Sequence, residues 1–328
     1  MITSQLLINR FELRILLLSF VLLIGTTAFC QSDNYGSKRK MLLRDEGLSQ
    51  VSYIDLADST KNWFVTVPAG RDLQLVGNGE VLISTGNGYE VREIKGGKLV
   101  KQDTTYPGTV MVRMLRNGNL LVVGLNAQGK KGAVLAEVNK SGLVKKVLNF
   151  PEYDYVRLVR ETAKGTYLVT ANKMVFETDA NGKIIWKANL TKGPEKTNAW
   201  QALRLANGQT VVSGGYAGYF EVFDKAGKPV STITGPPEVK PNFFSGFQVL
   251  PNGNYVVANW QGHGPNYGGS GHQVLEYTPA GKLAWSWRQY AHKFSSLQGV
   301  IVLDGLNTNL RYIEGAKGVL EAGKKIKN

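Results

Sequence analysis

A short pattern that recurs along the chain restricts its possible folds more than any other feature of the sequence. A turn glycine, usually preceded by Asn or Asp, returns every 39 to 52 residues, at Gly79, Gly118, Gly165, Gly208, Gly253 and Gly305. Asn, Asp and Gly tolerate the positive φ that a tight hairpin requires, and an apolar run follows each turn. The pattern therefore predicts antiparallel hairpins in six copies of one structural repeat.

One complete copy runs from Phe247 to Lys282. Two strands flank the turn at Gly253, a glycine-rich loop follows, and a third strand, Val274 to Tyr277, ends at a Thr-Pro-Ala-Gly-Lys turn. A fourth strand begins at Leu283, and related third strands occur in the other copies, the last of them at Val319. Four-stranded repeats of about 40–50 residues are typical of a β-propeller.

The six turns predict an all-β fold, a six-bladed β-propeller of four-stranded antiparallel blades. The last copy ends near Asn328 with few residues for a fourth strand, whereas the strand-like segment Lys61 to Val67 has no blade of its own. We therefore expect an N-terminal strand to complete the last blade and close the ring. Seven blades are the alternative, if Val51 to Val67 belongs to a degenerate copy.

The first 30 residues have the pattern of an export signal. Arg10 and Arg14 precede an apolar run that is too short for a comfortable membrane span, and small residues follow it. Cleavage before Gln31 would release the protein to the periplasm or the exterior, whereas lipidation of Cys30 would anchor it to a membrane. Residues 31–50 are polar and predict a linker, which leaves residues 51–328 for the propeller domain.

Composition narrows the possible chemistry. Cys30 is the only cysteine, so we expect neither a disulfide nor a thiolate metal site in the domain. The formal net charge of +14 is spread along the chain, which suits either an acidic partner or a generally basic envelope protein. The sequence contains no dense basic run, so we expect no specific nucleic-acid partner. The sequence also has no P-loop, dinucleotide fingerprint, nucleophile elbow or HExxH motif, which favours a protein that is not an enzyme.

A second motif points to a known group of proteins. The form Asp-x-x-Gly-Lys-x-x-Trp, from Asp179 to Trp186 and in variant form from Thr278 to Trp285, resembles the repeats of bacterial PQQ-like (quinoprotein-type) β-propeller proteins. The resemblance covers nearly all of the chain after the export signal and implies a secreted repeat protein. Quinoprotein dehydrogenases have eight blades and a calcium-bound quinone. Only two copies here keep the tryptophan, so we expect no cofactor and no PQQ chemistry.

The first strand of each copy carries Gln or Arg directly after an apolar residue. These residues are Gln74, Arg113, Arg157, Arg204, Gln248 and Gln298. First strands line the channel of a propeller, so the pattern predicts a ring of three guanidiniums and three amides. Such a ring would suit a carboxylate, sulfate or phosphate, because Arg offers a planar fork of donors. The alternative is that a hydrated channel simply needs polar side chains.

A long glycine-rich loop, Asn259 to His272, is the second candidate site, since long loops on one propeller face often carry function. Within it, Trp260 and Tyr267 could stack on a sugar beside Asn259. Loops of the same face are rich in aromatic residues, about half of which we expect in the core, namely Tyr106, Tyr153, Tyr155, Trp200, Tyr216, Phe243, Phe244 and Tyr290. Of these we assign Trp200 to the ligand site.

The three histidines are the candidate acids or bases of any catalysis: His263, His272 and His292. All three are predicted on the loop-bearing face. Three imidazoles could bind zinc, but nothing in the sequence fixes their separation, and we expect no metal. Loop histidines that only donate or accept hydrogen bonds are the alternative.

These patterns predict an exported, non-catalytic protein that binds an anionic or glycan ligand, or a protein partner, on the loop-bearing face. A glycan-processing lyase or hydrolase with a histidine acid or base is the first alternative, although fold analogy alone supports it. A scaffold is the second alternative, and it predicts that the chain's own loops plug the channel.

Overall fold

The computed structural model describes residues 36–195, 197–236, 239–288 and 290–323. The predicted signal peptide, its cleavage site and Cys30 lie outside these ranges. Among the described residues the one helix is a 3-10 turn, Ser59–Lys61, and no helix is long and apolar enough to cross a membrane. The remaining regular structure is β-strand.

The strands follow one another in the order β1 Lys40–Asp45, β2 Gln50–Asp55, β3 Trp63–Thr66, β4 Leu73–Gly77, β5 Glu80–Thr85, β6 Gly88–Glu93, β7 Leu99–Asp103, β8 Thr109–Met114, β9 Leu120–Leu125, β10 Ala133–Val138, β11 Val144–Phe150, β12 Val156–Glu161, β13 Tyr167–Ala171, β14 Met174–Thr178, β15 Ile184–Asn189, β16 Gln201–Arg204, β17 Thr210–Ser213, β18 Gly215–Tyr216, β19 Tyr219–Phe223, β20 Pro229–Thr234, β21 Phe243–Val249, β22 Tyr255–Asn259, β23 Val274–Tyr277, β24 Leu283–Trp287, β25 Leu297–Val302, β26 Tyr312–Glu314 and β27 Leu320–Ala322.

These strands form a six-bladed β-propeller. Five blades are consecutive antiparallel sheets, which begin at β4, β8, β12, β16 and β21. Short β18 leaves the fourth blade and pairs with the first strand of the fifth. Apolar faces of neighbouring blades pack together, as where Phe220 contacts Phe244 and Phe247 at ring-centroid distances of 5.0 Å. Such face-to-face burial explains why one blade is not stable alone.

The sixth blade closes the ring, and it joins the two ends of the domain. Its inner strand is β25, and its other three strands are β1, β2 and β3. Closure from the N-terminal side was predicted, but three strands take part rather than one. The segment Val51 to Val67 therefore lies within the sixth blade, and it does not form a seventh.

The linker predicted over residues 31–50 is wrong where β1 and the start of β2 lie. Met41, Leu42 and Leu43 are fully buried in β1, although charged residues flank this short run. Lys40 before the run is exposed, but Arg44 and Asp45 after it are buried, and backbone groups satisfy both. Arg44 donates to the carbonyls of Val67 and Gly70 at 3.0 and 3.1 Å. Because β1 contains charged residues, its composition is that of a polar linker, although the strand is buried.

The turn at Gly305 does not open a blade hairpin, contrary to the sequence prediction. The segments that follow it form a separate hairpin, β26–β27, whose flanking residues bridge to blades at Val76–Arg311 and Val249–Val319. The guanidinium of Arg311 donates to the carbonyl of Leu115 at 2.6 Å. The hairpin lies where the first strands end, and we call it the floor of the channel.

Candidate functional site

The opposite end of the channel, where the first strands begin, holds a small cleft of about 90 Å³ that we call the mouth cleft. First strands begin and second strands end on this side, so residues distant in sequence meet there. Arg157 is the second residue of β12, Phe243 opens β21, and Trp260 directly follows β22. The residues that line the cleft are Glu46, Arg71, Tyr155, Arg157, Asn198, Trp200, Tyr216, Phe243, Trp260, His263 and Gln298.

Arg157 is the most unusual side chain of the mouth cleft. It is only 4% exposed, and among the described residues nothing accepts a hydrogen bond from its Nε or Nη1. The guanidinium carbon lies 3.2 Å from the ring centroid of Tyr155 and 4.9 Å from that of Trp200. Buried charges are normally paired, because an unpaired ion loses its hydration without replacement.

A second guanidinium increases the positive charge at the same place. Arg71 lies 5.9 Å from the ring centroid of Trp200. Burial, followed by repulsion from Arg71, holds the pKa of Arg157 far below its usual range. Burial also lowers the pKa of Arg71, which the charge of Glu46 partly opposes. Since guanidiniums stay protonated in proteins, burial and mutual repulsion make both charges costly in the folded state. A bound anion would offset that penalty.

Aromatic rings form the wall beside the two arginines. Trp200 meets Phe243 edge-on, with ring centroids 5.3 Å apart and an interplanar angle of 89°. Tyr216 and Trp260 pack against the same Phe243 at 4.8 and 5.3 Å. Trp200, Phe243 and Trp260 are each less than a tenth exposed, so their neighbours hold them in place. Edge-to-face packing of this kind gives a rigid apolar surface.

A carboxylate and an imidazole stand at the rim. Glu46 accepts a hydrogen bond from Trp260 Nε1 at 3.0 Å, and its other oxygen lies 3.2 Å from His263 Nδ1. The His263 side chain is 78% exposed. The contact with Glu46 orients the ring and leaves Nε2 as the nitrogen that could face a ligand.

The structure brings five of the predicted site residues to the mouth cleft: Arg157, Trp200, Trp260, Gln298 and His263. Gln298 has a structural contact as well, because its Nε2 donates to the carbonyl of Gly70 at 2.8 Å.

The predicted single ring of arginines and glutamines is not formed. Gln74 bridges two blades, accepting from the Met114 amide at 2.7 Å and donating to the Met114 carbonyl at 3.1 Å. Gln248 bonds Val302 in the same two ways at 2.8 and 3.2 Å. These amides complete the hydrogen bonding between first strands, so they are structural.

Two of the three predicted guanidiniums lie away from the mouth. Arg113 is at the floor, where it contacts Asp72 at 3.0 Å and Glu314 at 2.6 Å. Arg204 pairs with Glu177 in a groove between the third and fourth blades and lies 4.6 Å from the ring centroid of Trp186. Both charges are paired, unlike that of Arg157.

A register error explains why Arg157 does not lie with Gln74, Arg113 and Gln248. Gln74, Arg113 and Gln248 each precede their turn glycine by five residues, and the residue at that offset in the third blade is Arg160. Arg157 lies eight residues before its glycine, and the pairing of β12 with β13 shifts register between Val156 and Val159. Arg160 joins the floor cluster, contacting Asp72 at 2.9 Å. Counting from the turn would have found it, whereas no local pattern marks Glu46 or Arg71.

The glycine-rich loop is mostly structural. Asn259 is fully buried, accepts from the Asn242 and Phe243 amides and donates to the carbonyl of His272 at 2.8 Å. Tyr267 is 38% exposed and lies outside the lining of the mouth cleft.

The three histidines do not converge. His263 lines the mouth cleft, whereas His272 and His292 do not. Burial, followed by the charge of Arg288, lowers the pKa of His272. In the described part of the chain, no group of three His, Cys, Asp or Glu side chains is placed to hold a metal ion.

Comparisons with solved structures find many similar folds. A protein of unknown function from Bacteroides caccae matches with a TM-score of 0.63 and 23% identity, over 81% of this chain and 99% of that chain. A chain of a nidogen/laminin complex matches with a TM-score of 0.58 and 12% identity, over 80% and 98%. A catalytically inactive virginiamycin B lyase from Staphylococcus aureus, solved with quinupristin, has a TM-score of 0.49 at 12% identity, over 79% and 84%.

No protein-family model matches the chain, and neither does any curated protein. The first two structural likenesses show the β-propeller fold alone. The chemistry of the mouth cleft therefore rests on its geometry.

Proposed function

We propose that this protein is exported to the cell envelope and binds a small anionic ligand in the mouth cleft without transforming it. Arg157 is the principal receptor for the anion, and Arg71 adds positive charge beside it. One observation carries the proposal. Among the described residues that line the cleft, the buried side-chain atoms without a hydrogen-bond partner are all donors: Arg157 Nε, Arg157 Nη1 and Trp200 Nε1. A site whose unsatisfied atoms are all donors selects a ligand rich in acceptors.

The small volume of the cleft, about 90 Å³, favours a small molecule, or the charged end of a larger glycan, over a protein surface. The apolar N-terminal run with small residues after it supports export to the periplasm or the exterior, with a lipid anchor at Cys30 as the alternative. The proposal assigns the site no cofactor.

A second candidate function is a lyase or hydrolase in which His263 moves a proton. The contact between His263 Nδ1 and Glu46 favours it, because a carboxylate orients an imidazole for acid–base work. Turnover of an acidic saccharide that is lost in His263→Ala, with binding retained, would replace the first function by this one. Binding without turnover at any pH would exclude it.

A thermal-shift screen of residues 31–328 tests the first function. The panel contains carboxylates, phosphates, sulfates, acidic glycans and neutral glycans, each at two salt concentrations. A ligand at 100 times its dissociation constant adds about 2.7 kcal/mol to the free energy of unfolding. We expect a salt-sensitive rise in Tm with an anion, which Arg157→Met abolishes. Lys145→Met is the matched control, since it removes one charge from an exposed strand and should leave the rise unchanged.

A panel without any anion-dependent shift would reject the proposal. A shift that persists in Arg157→Met would place the anion elsewhere, and it would equally reject the mouth cleft as the site.

A further inference from the structure

The donors of Arg157 have a defined direction. Since the guanidinium carbon lies only 3.2 Å from the ring centroid of Tyr155, the guanidinium lies on that ring and its N–H bonds point outward in its own plane. A ligand must therefore approach at the edge. A guanidinium fork matches an acid group that presents two oxygens in one plane. A carboxylate has this shape and no further oxygens to satisfy.

Arg71 places a second guanidinium in the cleft, and the carboxylate of Glu46 opposes the two positive charges with one negative charge. Among the buried atoms of the lining within the described ranges, Trp200 Nε1 is the other donor without a partner. The amide nitrogen of Gln298 already donates to Gly70. A phosphate dianion would lose hydration that aromatic walls do not replace, whereas a monoanion loses less. The excess of a single positive charge in the lining therefore favours a carboxylate monoanion over a phosphate dianion.

The walls indicate what the carboxylate is attached to. Trp200, Phe243 and Trp260 line the cleft beside the guanidinium, with neighbouring centroids 5.3 Å apart and less than a tenth of each side chain exposed. Another ring continues such edge-to-face packing, whereas a polyhydroxylated sugar would leave hydroxyls against apolar surface. Ligand pockets with apolar walls and few polar groups orient a ligand by the polar groups and retain it by the walls.

We propose that the ligand of the mouth cleft is a small aromatic monocarboxylate, bound at the edge of Arg157 with its ring against Trp200, Phe243 and Trp260. This inference rests on the proposed function, because it names the class of anion for the same cleft. It makes acidic polysaccharides and phosphorylated metabolites the weaker ligands.

Isothermal titration calorimetry of residues 31–328 tests the inference. The probes are benzoate, 3-phenylpropionate, acetate, cyclohexanecarboxylate, phenyl phosphate and glucuronate. Of benzoate and 3-phenylpropionate, we expect the tighter binder to exceed acetate, phenyl phosphate and glucuronate in affinity by at least about tenfold. It should also bind more tightly than cyclohexanecarboxylate. Arg157→Lys keeps the charge and loses the fork, so it should weaken this binding about tenfold or more, while Lys145→Met leaves it unchanged.

The outcomes separate this inference from the proposed function. If phenyl phosphate, glucuronate or acetate binds as tightly as the aromatic carboxylates, and Arg157→Lys weakens that binding, the inference is wrong and the anion site remains. If Arg157→Lys leaves aromatic carboxylate binding intact, the edge-on geometry is wrong. If no anion binds, both proposals fall.

Discussion

The substitution Arg157→Met should make the ligand-free protein more stable, which is the reverse of the usual effect of changing a buried residue. Methionine matches the arginine side chain as far as Nε, lacks the terminal guanidinium carbon and nitrogens, and carries no charge. A buried unpaired ion costs several kcal/mol, and contacts with the rings of Tyr155 and Trp200 offset up to about 2 kcal/mol each. We therefore expect a net gain of about 1–2 kcal/mol in the free energy of unfolding.

Urea and thermal denaturation without added anions would measure this gain. For a domain of about 290 residues the unfolding entropy is about 0.6 kcal/mol per kelvin, so Tm should rise by about 2–3 °C. The same change at Arg113 is the control. It leaves Asp72 and Glu314 in the floor cluster with one guanidinium fewer, so Arg113→Met should lose about 3–5 kcal/mol. An Arg157→Met protein that is less stable than the wild type would refute the reasoning, because the guanidinium would then be a structural tie.

Three further predictions concern the floor and the ring. Glu314→Gln should lower the free energy of unfolding by about 3 kcal/mol in urea titrations, because Arg113 and Arg160 would then share only Asp72; an unchanged midpoint would contradict this. Burial opposes ionisation of Glu314, but the charges of Arg113 and Arg160 outweigh burial and hold the pKa of Glu314 below its usual range. The carboxylate therefore stabilises the fold fully above the unfolded pKa of about 4.3, and this stabilisation is lost as the pH falls through the lower pKa of the folded state. The stability difference between wild type and Glu314→Gln should accordingly shrink between pH 5 and pH 3, and a constant difference would refute that assignment. Gln248→Ala should cost about 2 kcal/mol through its two lost bonds to Val302, and a change near zero in chemical denaturation would show that water replaces the amide.

The blades could be predicted from the sequence because their signal is local. Asn or Asp before a turn glycine, an apolar run and a second turn specify a hairpin within a few residues, and the repeat adds the stacking. The turns at Gly79, Gly118, Gly165, Gly208 and Gly253 all join the first two strands of a blade.

Pairing between distant segments could not be predicted in the same way. The segment after Gly305 has the pattern of second and third blade strands, yet β1 and β2 take those positions beside β25. The alternation of side chains along a strand identifies its two faces, but it does not identify the strand that pairs with it. The hydrogen bonds that satisfy Arg44 come from the carbonyls of Val67 and Gly70, and no pattern around β1 reveals them.

The candidate site was only partly predictable for the same reason. Arg157 and Trp260 stand beside strong strand signals, so the sequence marks them as lying near one end of the channel. Their significance depends on partners: nothing in the described chain accepts from Nε or Nη1 of Arg157, whereas two carboxylates accept from Arg113. Whether a guanidinium is paired is a property of the folded ring, and Glu314, which pairs Arg113, lies 201 residues away.

The crystal structure of the complex with the tightest-binding anion of the calorimetric panel would test the central claim most directly. The account predicts the acid group inside the mouth cleft, with its oxygens about 3 Å from Arg157 Nε and a terminal Nη. An acid group bound at Arg204 in the groove between blades, or at surface lysines with Arg157 uncontacted, would contradict it.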